Sequence, residues 1–522
     1  MDLAGLIEAL SSPAAYPQPV EEVEVRQTHI SVVFLAGEYV YKLKKPVHPS
    51  FLDFSTLEKR LHFCREEVRL NRRLAPDVYL GVVPVVRTTD GLKWEAEGEA
   101  IEWAVKMRRL AKEATLREGV RRDEIGVELV ESLAGKIASF HRTAETNERI
   151  AAFGRFDGVA RLVRDVFANS APQVGKIVSP AVFERLRTLT EEALSRLCPL
   201  IEKRTSQNKT RDTHGDLRLD HIYYFPDKEP PADFIVIDCI EFNERFRFID
   251  PVADMAFAVM DLAFHGRRDL AHVFADAYFR AAEDEEGREL LPLYTAYRAT
   301  VRGEVEGMLA TAKEVPESER AAAAARTRAH WLLALGELEE PGKKPCLLFK
   351  AGLPGAGKSM LARALAERAG FCLIRSDVVR KELQTQTRSA SEEIYTPEWN
   401  ARTYAECLRR SEQLLFEGKR VLIDATFREE KQRRIFLEAA VQWGVPGGML
   451  LCRAEPDTVR RRLEQRRGDA SDADWSVYLQ LAASWEEPGA FTQRYCHVIP
   501  TEGGSEEGIS RALEALRQMG LY

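Results

Sequence analysis

The sequence lacks the features that mark secreted, membrane-spanning and metal-cluster proteins. Its eight cysteines are scattered singly, and no Cys-x-x-Cys spacing is present that could build a zinc site or a redox centre. No apolar run approaches the roughly 18 residues that span a membrane, and the N-terminal stretch MDLAGLIEALSSP lacks the basic-then-apolar pattern of a signal peptide. These absences predict reduced, mostly buried cysteines and a cytoplasmic protein without a membrane partner.

An excess of basic charge is absent too. The formal net charge of −7 at pH 7 argues against extensive binding along a nucleic-acid backbone, but it is compatible with local basic patches. With 45% hydrophobic and 30% charged residues the composition is that of an ordinary globular protein. A chain of 522 residues exceeds what one core usually serves, so we expect two or three domains, although no internal repeat is visible. The oligomeric state is left open.

The clearest change along the chain lies at residues 317–345, ESERAAAAARTRAHWLLALGELEEPGKKP. This stretch predicts a long helix stopped by Glu-Glu-Pro-Gly, and it places a domain boundary near Pro341. Upstream, THISVVFLAGEYVYKLKKP predicts two strands joined at Ala36-Gly37-Glu38, and LEKRLHFCREEVRLNRRL predicts an amphipathic helix. Residues 125–205 and 252–338 are mostly helical in pattern. A strand-rich lobe is therefore expected before a larger helical one.

Beyond Pro341 the pattern changes. CLLFKAG, FCLIRSD, KRVLIDAT and GGMLLCRA are short apolar runs separated by helical segments, which is typical of a parallel sheet in an α/β domain. Between the first of these strands and a helix lies GLPGAGKS, which satisfies G-x-x-x-x-G-K-[ST]. Its glycines let backbone N–H groups approach phosphate oxygens, Lys358 supplies a charge at the β/γ-phosphates, and the Ser359 hydroxyl can reach Mg²⁺. The predicted nucleotide-binding residues are Gly352, Leu353, Pro354, Gly355, Ala356, Gly357, Lys358, Ser359 and Met360.

The strand after the P-loop ends in IRSDVVRKEL, which places Asp377 and Arg380 three residues apart at the start of a helix. A carboxylate at this point can take the proton of an attacking hydroxyl, and the cation one turn later can bind an acceptor phosphate. The alternative interpretation is a helix-capping Asp beside a solvated Arg. Both residues are predicted to be catalytic.

Two further segments favour phosphoryl transfer. Asp424 ends the strand of RVLIDATFREEKQRR and is predicted to orient Mg²⁺, with Arg433 or Arg434 offered to the acceptor. In PDTVRRRLEQRRGDASDAD, Arg462 and Arg466 lie four residues apart on one helical face. They are predicted to close over the transferring phosphates, where guanidinium charge is most effective in a water-excluded site. A solvated charged face is the alternative.

From 345 to about 520 the sequence resembles the P-loop kinases that include polynucleotide 5′-kinases, gluconate-type kinases and zeta toxins. GLPGAGKS, RSDVVR, LIDATF and RRLEQRRGDASDAD occur in that order. In the polynucleotide-kinase branch, the Asp of an R-D-x-x-R-like motif is the general base and its Arg binds acceptor phosphate. Asp377 and Arg380 match this spacing, although Ser376 replaces the usual preceding Arg. The resemblance implies a kinase whose acceptor is open.

The upstream half carries a second set of charges. Asp216 follows His214-Gly215 in THGDLRLDHIYYF, and Asp238 ends the strand FIVID. Phosphoryl transfer needs one carboxylate at the acceptor, another for Mg²⁺ and a cation over the phosphates. Asp216 fits the first role and Asp238 the second. Lys42 on a predicted strand supplies the cation, with Glu67 on the following helix as its partner and Glu66 as the competing choice.

This order of residues resembles the aminoglycoside phosphotransferase and choline kinase-like family over about 20 to 335. HGDLRLDHI matches its H-G-D-x-x-x-x-N loop, IDCIEF its metal-binding strand, and FIDPVADMAF its D-P-x-x-D-L-A segment, where the match makes Asp254 a structural acid bracing the loop. The two resemblances together imply a bilobal α+β kinase-like domain over 1–340. They imply an α/β P-loop NTPase domain with a mainly parallel sheet over 341–522.

His221 departs from the upstream pattern, because the family has a metal-binding Asn at this position. A neutral imidazole can ligate a divalent cation, so His221 is predicted to join Asp238 at the metal, with Mn²⁺ tolerated beside Mg²⁺. Alternatively, His221 does not touch metal, and the domain binds nucleotide weakly or acts as a sensor.

The sequence thus predicts a bifunctional phosphotransferase that uses ATP, with GTP as the alternative nucleotide, and a divalent metal. The predicted acceptor is the hydroxyl of a small molecule or of a nucleic-acid end. The competing hypothesis is a regulatory protein in which the upstream domain is a nucleotide-sensing pseudokinase that controls a P-loop ATPase or kinase. Acceptor pockets in such folds are built from variable segments, so neither acceptor can be decoded from the motifs.

Overall fold

The computed structural model describes residues 2–49, 52–387, 396–465 and 474–522. Contacts between residues divide the chain into two compact units. The first unit comprises Met1–Ala160, Leu197–Ala263 and Arg267–Leu291. The second unit comprises Arg161–Arg196, Phe264–Gly266 and Pro292–Tyr522. Among the described residues, no helix combines the length and the apolar character that crossing a membrane requires.

The first unit begins with an antiparallel sheet of six strands in the order β1-β2-β3-β6-β4-β5. The strands are β1 (Val23–Gln27), β2 (Ser31–Ala36), β3 (Tyr39–Lys44), β4 (Tyr79–Thr88), β5 (Gly91–Trp94) and β6 (Ala100–Arg108). The predicted hairpin is confirmed, because β2 and β3 pair on either side of Gly37, whose φ of +61° suits a glycine in a tight turn. The strand-rich start of the chain is therefore as expected.

Two helices accompany this sheet, α1 (Leu3–Leu10) and α2 (Leu57–Asn71). The Asp2 side chain accepts a hydrogen bond from the Gly5 amide at 2.9 Å and so caps α1. Thr56 caps α2 in the same way through the Lys59 amide at 3.3 Å. The buried face of α2 packs on β4 and β6, which fixes the helix that carries Glu67 against the sheet that carries Lys42.

The following segments are mainly helical, as predicted. The helices are α3 (Leu116–Arg121), α4 (Val127–Thr143), α5 (Glu148–Ala151), α6 (Phe156–Ser170), α7 (Pro180–Ser206), α8 (Pro251–Phe264), α9 (Arg268–Ala282), α10 (Leu291–Thr311) and α11 (Glu317–Leu338). Four short strands form two antiparallel pairs, β7 (Arg211–Asp212) with β10 (Phe248–Ile249), and β8 (Ile222–Tyr224) with β9 (Phe234–Val236). Single 3-10 segments lie at Pro13–Ala15, Lys112–Ala114, Ala152–Gly154, Ala171–Gln173, Glu244–Phe246, Glu285–Leu290 and Pro341–Lys343.

The long helix predicted before Pro341 is present as α11. Its backbone leaves the helix at Glu339, whose φ and ψ of −77° and 149° are extended. Because α11 and most of α10 belong to the second compact unit, the helices before Pro341 share that unit with the P-loop sheet. The division into domains at 1–340 and 341–522 stays a prediction.

The second unit contains five parallel strands in the order β12-β13-β11-β14-β15. They are β11 (Cys346–Ala351), β12 (Cys372–Arg375), β13 (Arg420–Asp424), β14 (Gly447–Arg453) and β15 (Cys496–Pro500). The helices of this part are α12 (Lys358–Ala369), α13 (Ser376–Thr387), α14 (Pro397–Phe416), α15 (Glu430–Gln442), α16 (Pro456–Glu464), α17 (Trp475–Ala483), α18 (Ala490–Gln493) and α19 (Ser505–Gln518). The predicted parallel sheet is confirmed.

This sheet positions a site at one edge. The P-loop follows β11, Asp377 follows β12 and Asp424 ends β13, and these three strands are neighbours. Since the carboxyl ends of parallel strands open on the same side, the three features meet at one crevice. The α+β kinase-like architecture upstream and the α/β P-loop architecture downstream both match the fold class that the motifs implied.

Candidate active sites

The upstream site is centred on Lys42. Its Nζ lies 2.9 Å from Glu67 Oε1 and 2.6 Å from Asp238 Oδ1. Glu66 is turned away and pairs with Arg69 at 2.7 Å, so the structure brings Glu67 rather than Glu66 to the lysine. Burial alone would raise the pKa of Glu67, but the charges of the neighbouring lysines outweigh it and lower that pKa. The carboxylate of Glu67 therefore remains ionised although it is buried.

Asp238 sits at a strained point of the backbone. Its φ is +65°, a left-handed conformation that a side chain with a Cβ rarely adopts. The amide of Asp238 donates a hydrogen bond to the Tyr79 hydroxyl at 3.1 Å, and the next amide, that of Cys239, donates to Asn71 Oδ1 at 2.8 Å. Strain of this kind persists when its surroundings over-determine the backbone, and it concentrates at functional sites.

Asp254, on α8, holds the loop that carries Asp216 through hydrogen bonds to its backbone. The Asp254 carboxylate accepts hydrogen bonds from the amides of His214 at 3.0 Å and Gly215 at 2.7 Å, and its Oδ2 lies 2.9 Å from His141 Nε2. Gly215 has a φ of +87°, and a Cβ there would come within 2.9 Å of the Phe246 carbonyl oxygen. The glycine of the His-Gly-Asp motif is thus a steric requirement.

His214 itself is a neutral structural group. Burial lowers the pKa of this imidazole to about 4. Its Nε2 lies 3.0 Å from the Ile237 carbonyl oxygen, and its Nδ1 accepts from the Asp216 amide at 3.3 Å. The imidazole therefore connects the loop that carries Asp216 to the segment that leads into Asp238.

His221 contacts both carboxylates and an arginine that the motif analysis passed over. Its Nδ1 lies 2.9 Å from the Asp216 carbonyl oxygen, so the proton belongs on Nδ1, and Nε2 accepts a hydrogen bond from Arg218 Nη2 at 2.8 Å. Arg218 Nε also donates to Asp216 Oδ1 at 3.0 Å, while His221 Nε2 lies 3.5 Å from Asp238 Oδ2. His221 is beside the predicted metal position, but its role as a ligand stays a prediction.

The downstream site is built on the P-loop. At Gly352, with a φ of +139°, a Cβ would lie 2.5 Å from the Cys452 carbonyl oxygen, so only glycine fits. Gly357, with a φ of +80°, is the residue before the first turn of α12. Lys358 Nζ donates to the Leu353 carbonyl at 2.8 Å and thus lies across the loop. Ser359 and Met360 follow in the first turn of the helix.

A second lysine lies beneath the P-loop and was missed by motif reasoning. Lys350, on β11, is fully buried; its Nζ contacts the Lys358 carbonyl oxygen and lies 3.3 Å from Asp424 Oδ1. Burial lowers the pKa of Lys350 to about 8, against the opposing charge of Asp424. The other Asp424 oxygen, Oδ2, lies 3.6 Å from Arg375 Nε. A lysine inside the apolar run CLLFKA was the available signal.

The predicted acceptor residues lie beside the P-loop at the start of α13. Burial raises the pKa of Asp377, and the charge of Arg380 opposes this shift. Arg380 Nη2 donates to Asn400 Oδ1, on α14, at 2.9 Å. Asn400 was not singled out by sequence reasoning, because an Asn within a helix gives no distinctive signal.

Of the two predicted lid arginines, the structure describes one. Arg462, on α16, donates from Nη2 to the Thr501 carbonyl, and the Thr501 hydroxyl donates to the Ala356 carbonyl within the P-loop at 2.9 Å. Arg462 is thus held next to the phosphate loop through Thr501, a residue that no motif indicated. Arg466 lies outside the described residues.

Comparisons with known proteins place the chain in a family. The family model described as an AAA domain (AAA_33) matches residues 347–488. The uncharacterized protein Rv2004c of Mycobacterium tuberculosis (strain ATCC 25618 / H37Rv) is 31% identical over 504 residues, which is 95% of each chain. The chain belongs to the Rv2004c family. The uncharacterized protein Mb2027c of Mycobacterium bovis (strain ATCC BAA-935 / AF2122/97) is also 31% identical over 504 residues, which is 95% of each chain.

Solved structures resemble each part of this Rv2004c-family chain separately. A gluconokinase from Sinorhizobium meliloti 1021 covers 34% of the chain and 94% of its own length, at 16% identity and a TM-score of 0.27. The GDP complex of wild-type aminoglycoside 2′-phosphotransferase-IIIa covers 63% of the chain and 99% of its own length, at 11% identity and a TM-score of 0.38. The AAA-domain match confirms the P-loop resemblance that GLPGAGKS carried.

Arg433, one of the two arginines that the sequence suggested for acceptor binding in this Rv2004c-family chain, lies in the interior. Arg433 is fully buried; its Nε donates to the Phe427 carbonyl at 2.7 Å and its Nη2 to the Arg428 carbonyl at 2.9 Å. Its guanidinium also lies 4.4 Å from the ring of Trp485. Arg433 thus supports the loop after β13, because two of its donors, Nε and Nη2, bind backbone carbonyls of that loop. The adjacent Arg434 pairs with Glu438 at 2.6 Å on the exposed face of α15.

Proposed function

We propose that this chain is a two-module ATP-dependent phosphotransferase, in which each module transfers the γ-phosphate to a hydroxyl acceptor. The observation that carries the proposal is the ion-pair contact of Lys42 with both Glu67 and Asp238, formed beside Asp216 by segments that are distant along the chain. A cation held between two carboxylates in this way is poised for phosphate charge, which is what a phosphotransferase site needs.

In the upstream module, Asp216 orients the acceptor hydroxyl and takes its proton as the oxygen attacks the γ-phosphorus. The bond between that phosphorus and the β,γ-bridging oxygen breaks, and ADP leaves. Lys42 offsets the negative charge on the phosphates while Glu67 holds its ammonium in place. The carboxylate oxygens of Asp238 fit Mg²⁺ or Mn²⁺, and His221, whose Nε2 accepts from Arg218, would join them only after releasing that hydrogen bond. A metal bound there would neutralise charge on the nucleotide phosphates.

In the downstream module, the P-loop amides and Lys358 bind the β- and γ-phosphates. Asp377 accepts the proton of the attacking hydroxyl, and its raised pKa brings its basicity closer to what proton transfer requires. Arg380 binds an anionic part of the acceptor. Arg462, with Arg466 as its predicted partner, offsets charge in the transition state. The hydroxyl of Ser359 and the carboxylate of Asp424 are hard oxygen donors, and this donor set fits Mg²⁺.

The finer parts of the proposal concern the substrates. We infer ATP as the nucleotide, with GTP as the alternative, and an acceptor that is either a small molecule or a nucleic-acid end. The absence of a basic charge excess supports a small acceptor or a chain end over a long nucleic-acid backbone. The cytoplasmic location predicted from the sequence belongs to the same proposal.

A transfer screen with the full chain tests this function. The chain is incubated with γ-labelled ATP, Mg²⁺ or Mn²⁺, and sugars, aminoglycosides, nucleosides or 5′-hydroxyl oligonucleotides, and labelled products are separated from free phosphate. We expect at least one acceptor whose labelling is lost in Asp216→Asn and another whose labelling is lost in Asp377→Asn. ATP hydrolysis without any labelled product, across an acceptor panel of this breadth, would instead support the regulatory pseudokinase hypothesis.

A further inference from the structure

A second lysine of the upstream site lies two residues after the predicted phosphate-binding lysine. Lys42 and Lys44 share one face of β3, because side chains alternate along a strand. The Lys44 side chain has no exposed surface, and its Nζ lies 5.0 Å from the centre of the Phe54 ring. It donates to Glu67 Oε2 at 2.7 Å and makes a very short contact with Glu241 Oε1. Glu241 lies three residues after Asp238.

Glu67 is therefore shared between two lysines, one on each carboxylate oxygen. The contacts form a row of alternating charges that starts and ends in the short segment after β9. In order, the members of this row are Asp238, Lys42, Glu67, Lys44 and Glu241. The row ties three separate elements together, namely the strand β3, the helix α2 and the segment that carries the strained Asp238.

Stability alone gives a poor account of the inner pair. Each buried ion loses several kcal/mol of hydration, and well-packed apolar side chains of similar volume are often as stabilising as a buried ion pair. Lys44 and Glu241 are both buried, whereas the Asp238 side chain at the other end of the row keeps 42% of its surface exposed. The row thus runs from the interior to the position where nucleotide phosphates would lie.

Without Lys44, one oxygen of Glu67 would lack a cation and would compete for the ammonium of Lys42. With Lys44 in place, Glu67 needs only one contact from Lys42, whose remaining donors can face Asp238 and a phosphate. Glu241 in turn holds Lys44 and anchors the backbone of the Asp238 segment. The inner pair is suited to fix the outer pair in position.

We propose that Lys44 and Glu241 are positioning residues of the upstream site, which hold Lys42 and Asp238 in the nucleotide-binding arrangement before nucleotide arrives. This inference rests on the proposed phosphotransferase function of the upstream module. It predicts that charge at the inner pair controls nucleotide affinity although neither residue touches the nucleotide.

The test measures binding of a non-hydrolysable ATP analogue with MgCl₂ by calorimetry, in the full chain carrying Lys358→Ala to weaken the P-loop site. Lys44→Met leaves two buried carboxylates with one lysine, so it can destabilise the fold. The double variant Lys44→Met/Glu241→Leu removes the whole inner pair and fills its volume. We expect the double variant to remain folded at the assay temperature, with a lowered melting temperature because Glu67 Oε2 loses its cation, while its affinity for the analogue falls about tenfold or more.

A matched control is available on the same helix. Arg60, on α2, makes a buried ion pair with Glu102, at 2.7 Å, and this partner is not a member of the row of charges. Arg60→Met/Glu102→Leu should change analogue affinity less than twofold. Affinity within twofold of the parent in the Lys44 and Glu241 double variant would overturn the inference alone. Absence of analogue binding that depends on Asp238, tested with Asp238→Asn, would overturn the proposed upstream function and the inference with it.

Discussion

The two candidate sites differ in how they position the groups proposed to bind phosphate. Upstream, Lys42 and Asp238 are 196 residues apart along the chain, and the site exists because β3, α2 and the segment after β9 pack together. Downstream, the phosphate loop is contiguous, and its glycines and backbone amides carry much of its chemistry. The first site thus depends on ion pairs between side chains, and the second depends on local backbone shape.

The difference has energetic consequences. Removing one member of a buried row of charges leaves its partners uncompensated, which typically costs about 3 to 5 kcal/mol for a fully buried pair. Lys358, by contrast, contacts a backbone carbonyl of its own loop. Substitutions in the upstream site should therefore affect folding and binding together, whereas those in the P-loop should affect nucleotide binding and chemistry but not folding.

The strongest loss of activity is expected at Asp377, the proposed general base of the downstream module. Asp377→Asn should reduce transfer by about 10²- to 10⁴-fold with little change in ATP affinity, because a general base acts on the acceptor. Rates and nucleotide affinities are measured in the full chain carrying Asp216→Asn. Asp457→Asn, an exposed acid in the first turn of α16, is the matched control and should be neutral. If ATP affinity collapses in parallel with the rate, Asp377 is a structural or metal-binding residue.

The next test compares the effects of replacing Lys358 and Lys42 on phosphoryl transfer and on stability. Lys358→Ala should cost about 3 kcal/mol of transition-state stabilisation, roughly 10²-fold in downstream transfer, without a change in urea midpoint. Lys42→Met should lower the unfolding free energy by about 2 to 3 kcal/mol, less than a fully buried pair, since Asp238 retains water contact. Lys419→Ala, at an exposed position, is the control for both. Equal urea midpoints for the Lys42 and Lys358 variants would contradict the comparison.

The pH dependence of the downstream site should shift by a smaller amount. Asp377 must be ionised to accept a proton, so transfer rises as pH increases through its pKa. Burial raises that pKa and the positive charge of Arg380 lowers it, so Arg380→Met should move the acid limb of kcat/KM to higher pH. Arg409→Met, whose exposed guanidinium pairs with Glu406, should leave the limb in place. A shift of the acid limb to lower pH in the Arg380 variant would contradict its assignment to Asp377.

The smallest effect is expected at His221. His221→Asn supplies the residue of the H-G-D-x-x-x-x-N loop that the upstream sequence resembles and should preserve metal-dependent nucleotide binding upstream, whereas His221→Ala should weaken it a few-fold. The measurement is titration with ATP analogue in Mg²⁺ and in Mn²⁺, in the chain carrying Lys358→Ala. His29→Ala, at an exposed position, is the control. Equal affinities for wild type and both His221 variants would show that the upstream site works without this imidazole.

Much of the architecture was predictable because it follows from local sequence patterns. The hairpin around Gly37, the helix before Pro341 and the strands β11 to β14 follow from apolar runs, helix propensity and turn residues over short windows. The strand β15 was missed, since CHVIP is short and carries little alternation. Its position at the edge of the sheet is decided by pairing with β14, which a local window does not contain.

The P-loop and the His-Gly-Asp loop could be identified from the sequence, because in each the motif and its backbone conformation lie within one short segment. Packing between segments that are distant along the chain selects the acid that meets Lys42 and lets Lys44 and Glu241 extend this contact inward. Glu66 and Glu67 are indistinguishable in a helical pattern, yet they point in directions about 100° apart on a helix of 3.6 residues per turn. Packing of α2 on the sheet turns one of them to the lysine and the other to solvent.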